Sequence, residues 1–147
     1  NQKLRLIKKA RKYYDTFEGL TIAVLGLTFK PGTDDLREAP SLTIVPILLD
    51  DGAIVKAYDP CGMERFKQKV NGSIMYCGTP EEALKDADIC FILTEWPQIT
   101  SLKPEVFLSM KRPIILDGRN CYKLEDMEGH NLVYESIGRR VIQKLKP

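Results

Sequence analysis

A chain of 147 residues, 44% of them hydrophobic, is long enough to bury one real core and short for two domains. Lys and Arg total 22 against 20 Asp and Glu and, outside the first segment, are scattered, so the charge balance carries no nucleic-acid footprint. No apolar run approaches a membrane span, and Asn1 leads into charged residues rather than a signal-type stretch, which reads as a soluble, cytoplasmic chain with no membrane partner.

Residues Lys3 to Phe17 set Leu4, Ile7, Ala10, Tyr14 and Phe17 at near-helical spacing with Lys and Arg between them, which predicts a basic amphipathic helix. Asn1 is its one available cap, and so abrupt an opening is expected of the tail of a longer helix. Residues 1–18 are therefore set apart from a domain spanning 19–147. The apolar run Thr21 to Leu25 predicts the first strand, ending at Gly26, and a long polar loop follows. A helix is expected over Pro40 to Asp51, closing at Gly52, with Leu42, Val45 and Leu49 on one face. Pro46 removes a backbone donor from that pattern, so the helix should bend there or begin later.

Ala53 to Tyr58 predicts the second strand, running into Asp59-Pro60. An acidic residue ending the second strand of a nucleotide-binding unit can take ribose hydroxyls, but Asp before Pro also starts turns. The turn is the stronger reading, because the first loop lacks G-x-G-x-x-G. A helix over Cys61 to Val70 and a short strand over Ser73 to Tyr76 come next. Thr79-Pro80-Glu81-Glu82 has the pattern of a helix opening, with a cap, Pro at the first position and acids in the first turn. Ile89 to Leu93 is apolar without alternation, which fits a central parallel strand covered on both faces. Helical material around Pro104 to Met110, a buried strand over Pro113 to Leu116 and a last strand over Leu132 to Tyr134 complete the chain. Strands alternating with helices through short links predict an α/β fold with a doubly wound, mainly parallel, Rossmann-like sheet.

In such sheets ligands bind beyond the carboxyl ends of the strands. The loop after the first strand carries Lys30 and Arg37, the loop after the Ile89 strand carries Glu95 and Trp96, and Arg119 follows the Pro113 strand. If the first and Ile89 strands are neighbours where the winding reverses, these loops rise from one rim, and two cations there suit a phosphate-bearing ligand. Each residue also has a plain reading. Lys30 can be solvated charge, Arg37 can pair with Asp34 or Glu38, Arg119 can pair with Asp117, and Trp96 can be packing. Cys61, Cys77, Cys90 and Cys121 are irregularly spaced, form no Cys-x-x-Cys pair and have one histidine, His130, to join them. That argues against a zinc site, and no thiol is assigned as a nucleophile.

The stretch Leu25-Gly26-Leu27-Thr28-Phe29-Lys30, followed by Thr33-Asp34-Asp35-Leu36-Arg37-Glu38-Ala39-Pro40-Ser41, resembles the start of the C-terminal, UDP-binding domain of the UDP-glucose/GDP-mannose dehydrogenase family. Tyr58-Asp59-Pro60, Ala87-Asp88 with Thr94-Glu95-Trp96, Leu116-Asp117-Gly118-Arg119-Asn120 and Ser136-Ile137-Gly138-Arg139 keep the same order, so the likeness spans nearly the whole chain. It implies oxidation of C6 of UDP-glucose to UDP-glucuronate by two hydride transfers to NAD, with a cysteine holding the aldehyde, in a homodimer built on a long central helix. By this resemblance Phe29, Lys30 and Arg119 contact the UDP-sugar, and Arg37 meets the pyrophosphate of an NAD bound mainly by another domain. No G-x-G-x-x-G follows a strand here, and no cysteine has the glycine-rich setting of the family nucleophile. The chain is therefore expected to be the substrate-nucleotide domain of a larger enzyme, inactive alone and carrying no catalytic residue. A stand-alone nucleotide-sugar-binding or regulatory module stays open, as does the same domain of a UDP-N-acetyl-sugar or GDP-mannose dehydrogenase.

Overall fold

The structure, a computed structural model, describes residues 2–144. Its strands are β1 (Thr21–Leu25), β2 (Ile54–Tyr58), β3 (Ile74–Tyr76), β4 (Ile89–Ile92), β5 (Ile114–Asp117), β6 (Val133–Glu135) and β7 (Ile142–Gln143). They form one sheet in the order β3-β2-β1-β4-β5-β6-β7, parallel throughout except where β7 runs against β6. Around it lie α1 (Gln2–Ala10), α2 (Ser41–Asp50), α3 (Met63–Lys69), α4 (Pro80–Leu84), α5 (Pro97–Thr100), α6 (Leu124–Met127) and a 3-10 helix (Pro104–Ser109).

Side chains alternate across each strand, so every central strand feeds two cores. Ile22 and Val24 of β1 join Ile89 and Phe91 of β4 beneath α1, α2 and α3. Ala23 and Leu25 join Cys90 and Ile92 beneath α4 and the 3-10 helix. This two-sided burial is why the run from Ile89 shows no polar alternation, as a strand covered on both faces requires. The expected doubly wound, mainly parallel sheet is therefore present. No helix among the described residues is long and apolar enough to cross a membrane.

Several elements differ from the sequence reading. The first helix stops at Ala10 instead of reaching Phe17. Beyond it Tyr13 turns its hydroxyl to the Glu135 carboxylate (2.8 Å) and Tyr14 to the Asp88 carbonyl (2.9 Å), so the later part of the apolar stripe is tied to strand ends far along the chain. The proposed cap at Asn1 lies outside the described residues. Helix α2 begins at Ser41 and runs unbroken through Pro46, and its buried face is Ile44, Val45 and Leu48, with Leu42 and Leu49 only partly covered. Packing of that face outweighs the one hydrogen bond that proline removes. Thr79 caps α4 as expected, its hydroxyl accepting from Glu82 N at 3.1 Å, with Pro80 opening the helix. Strand β7 and the single-turn helices α5 and α6 have no counterpart in the sequence reading, being too short to show a period.

The winding reverses between β1 and β4, and Gly26 sits at that seam with φ +94°. A Cβ there would lie 2.5 Å from Thr94 Cβ and 2.6 Å from Thr94 N, so the loops leaving β1 and β4 approach as closely as two backbones can. Gly26→Ala is expected to destabilise the fold by about 2–4 kcal/mol, combining left-handed strain with overpacking. Urea unfolding of the two proteins measures it, and an unchanged midpoint would mean the seam has room that its geometry denies.

Candidate functional site

Asp59, at the carboxyl end of β2, is fully buried. Its Oδ2 accepts from Leu27 N (2.7 Å), Thr28 N (3.0 Å) and the Thr28 hydroxyl (3.0 Å), and its Oδ1 accepts from Cys61 N (2.9 Å) and Gly62 N (2.7 Å). Of the two readings of Asp59, the turn holds: the carboxylate starts the turn and also fastens the loop after β1. No lone pair is left over for a ribose. The amide of Phe29 is occupied as well, donating to Asp35 O at 2.9 Å. The amides of Leu27, Thr28 and Phe29, the first to leave β1, are thus not open to a phosphate, as those of a glycine-rich dinucleotide loop are.

Thr28 joins three strand ends. Its hydroxyl donates to Asp59 and accepts from the Trp96 indole N–H (2.8 Å), while its carbonyl accepts from the Thr94 hydroxyl (2.6 Å). Trp96 is buried and serves to hold this junction. Phe29 and Lys30, the next residues, leave the buried layer: Phe29 is 40% exposed, and Lys30 is exposed with no hydrogen bond or ion pair to the described residues.

A second buried carboxylate repeats the device after β5. Asp117 accepts from Arg119 N (2.8 Å) through Oδ1, and from Cys121 N (2.7 Å) and the Tyr134 hydroxyl (2.6 Å) through Oδ2. Asn120, in the left-handed region at φ 53°, exchanges two hydrogen bonds with the backbone of Ile137. The Arg119 backbone therefore belongs to Asp117, but its guanidinium does not. That group reaches Glu95 instead, Nε and Nη2 meeting the carboxylate at 3.0–3.2 Å. A small cleft adjoins it, lined by Gln2, Lys3 and Leu6 of α1 and by Leu93, Gly118 and Arg119.

The strand order puts the loops carrying Lys30, Glu95 and Arg119 on the same carboxyl rim, after three adjacent strands. Arg37 is further out, its side chain 87% exposed, and it pairs with Asp35 at 2.9 Å rather than with Asp34 or Glu38. Hydrogen bonds from Arg37 pull the Asp35 carboxyl down to about 2. Asp34 is taken by Arg65 at 2.7 Å. Thr28 and Glu95 as partners were not foreseen, since finding them requires knowing which strands are adjacent. His130 lies 3.8 Å from Glu105, away from these loops in sequence and partners.

Burial pushes Cys90 and Cys121 well up from the ordinary thiol value, Asp117 adding to it in both, and Cys77 is raised by burial too. Cys61 is the exposed thiol. No cluster of metal-ligating side chains forms among the described residues. The rim presents two cationic side chains, Lys30 and Arg119.

A doubly wound sheet with cations on its carboxyl rim has the architecture of a nucleotide-binding domain. Residues 23–124 match the UDP-glucose/GDP-mannose dehydrogenase family, UDP binding domain, and the chain belongs to that family. It is 38% identical over 99% of its length to UDP-glucose 6-dehydrogenase TuaD of Bacillus subtilis (strain 168), and 44% identical over 82% to UDP-glucose 6-dehydrogenase of Rhizobium meliloti (strain 1021). It spans 32% and 28% of those proteins, about a third of their length. Among solved structures, a UDP-glucose dehydrogenase from the archaeon Pyrobaculum islandicum aligns with a TM-score of 0.75 at 28% identity, covering 91% of this chain and 29% of that one. A UDP-D-ManNAc dehydrogenase from Pyrococcus horikoshii aligns with a TM-score of 0.71 at 32% identity, over 93% of this chain and 30% of that one.

Asp59→Asn keeps the side chain's size but points an amide at N–H donors, and is expected to cost about 2–4 kcal/mol of stability in urea unfolding. A loss below about 0.5 kcal/mol, the range of ordinary surface changes, would refute its fastening role. Iodoacetamide near neutral pH is expected to alkylate Cys61 in the folded protein and Cys77, Cys90 and Cys121 only after unfolding, as mass spectrometry of peptides would read.

Proposed function

We propose that this chain is the UDP-sugar-binding part of an NAD-dependent UDP-glucose 6-dehydrogenase, the whole enzyme oxidising UDP-glucose to UDP-glucuronate as a cytoplasmic homodimer. Residues 1–18, helical over Gln2–Ala10, belong to a connection toward the NAD-binding part, and residues 19–147 form the UDP-sugar domain. The observation that carries the reading is the uncommitted cation Lys30, flanked by exposed Phe29, on the rim that also bears Arg119, in a chain of this family.

A diphosphate carries charge that a rim cation can neutralise, and Lys30 acts there as a mobile point charge while Arg119 supplies a planar fork. Phe29 offers ring surface to the base. The amides of Leu27, Thr28 and Phe29 are already occupied, so the start of this loop does not cradle a pyrophosphate as a glycine-rich dinucleotide loop does. Arg37 fits an NAD pyrophosphate presented from outside, because its guanidinium is exposed and only one edge of it is held by Asp35. NAD itself supplies the hydride acceptor in the whole enzyme. None of this chain's residues is asked to perform chemistry.

NMR titration with UDP and GDP tests the reading. UDP is expected to bind in preference to GDP, and Lys30→Ala and Arg119→Ala are each expected to weaken UDP about tenfold, the worth of a charge-assisted hydrogen bond. Affinities unchanged in both variants would refute the site. NADH formed by this chain from NAD and UDP-glucose would refute the assignment of the chemistry to another part of the enzyme.

A further inference from the structure

Arg119 and Glu95 are not an incidental surface pair. They sit 24 residues apart on loops leaving adjacent strands, and the contact engages one particular edge of the guanidinium. Nε donates to Oε1 at 3.2 Å, and Nη2 donates to Oε1 at 3.1 Å and Oε2 at 3.0 Å. The Nη1 group and the outer N–H of Nη2 donate to nothing among the described residues. The backbone of Arg119 is separately fixed by Asp117, so the side chain is held at both ends, by its own amide and by Glu95. An arginine gripped along its Nε edge keeps its terminal fork in one orientation, which is the edge that takes two phosphate oxygens at once.

We propose that Glu95 is a positioning residue that aims the terminal fork of Arg119 at a phosphate of the bound sugar nucleotide. This rests on the reading of the rim as the UDP-sugar site. Two opposite effects follow from a carboxylate there. Its charge repels an anion, and its grip removes the entropy that a free arginine would lose on binding. The side chains of Glu95 and Arg119 are 38% and 33% exposed, so solvent and salt weaken the repulsion over a distance of about 8 Å at physiological ionic strength. The grip is a two-point contact at 3.0–3.2 Å, which salt weakens less than repulsion acting at longer range, and it decides the sign.

The test is UDP titration of the whole chain by NMR at physiological salt, with wild type, Glu95→Ala, Glu95→Gln, Arg119→Ala and the Glu95→Ala/Arg119→Ala pair. Glu95→Ala adds net positive charge yet is expected to bind UDP about threefold to tenfold more weakly, the cost of ordering one long side chain. Glu95→Gln keeps an oxygen for Nε and is expected to recover part of the loss. In the Arg119→Ala background, Glu95→Ala is expected to change affinity by less than about twofold, since it acts through the missing guanidinium. Tighter or unchanged binding by Glu95→Ala would overturn the proposal, as would an undiminished loss in the Arg119→Ala background. No UDP binding by the wild-type chain would overturn the reading of the rim itself, and the inference with it.

Discussion

The Asp59 carboxylate is the constraint on which the rim depends. One buried side chain collects three backbone or hydroxyl donors from the loop after β1 and two amides from its own turn. A buried carboxylate is tolerable only when its lone pairs are matched in this way, and the matching fixes where Leu27 and Thr28 lie. Thr28 then passes the restraint to β4 through Thr94 and Trp96, and Gly26 lets the two loops touch. Phe29 and Lys30 project from a base that cannot drift.

This arrangement also bears on the proposed recognition of an anion. In a glycine-rich loop, backbone amides face the phosphates; here those of Leu27, Thr28 and Phe29 face inward to Asp59 and Asp35. Asp117 does the same to the amides of Arg119 and Cys121 after β5. With these five amides engaged, the proposed recognition of an anion rests on side chains. Side chains are longer and looser than amides, so the rim gains from anything that restrains them, as Glu95 restrains Arg119.

Much of the fold is legible in the sequence because its signals are local. The runs Thr21–Leu25 and Ile89–Ile92 are apolar on both faces, and Thr79-Pro80 announces its helix by a cap that works at one turn's range. The end of α1 is not legible, since Tyr13 and Tyr14 continue a helical stripe while their hydroxyls serve partners 122 and 74 residues away. Within the rim, Asp59-Pro60 reads as a turn from local pattern alone, and the turn is what forms. Glu95 as the partner of Arg119 and Trp96 as the partner of Thr28 depend on which strands are adjacent, across 24 and 68 residues, and no local pattern encodes that. Charged neighbours in sequence mislead for the same reason: Asp117 takes the Arg119 amide, and Asp34 takes Arg65 in place of Arg37.

A crystal structure of the chain with UDP tests the central claim most directly. The account predicts diphosphate oxygens within hydrogen-bond reach of Lys30 Nζ and the terminal fork of Arg119, with Asp59 still bonded to Leu27 N and Thr28 N. A diphosphate seated on the freed amides of Leu27 and Thr28, with Asp59 displaced, would contradict it.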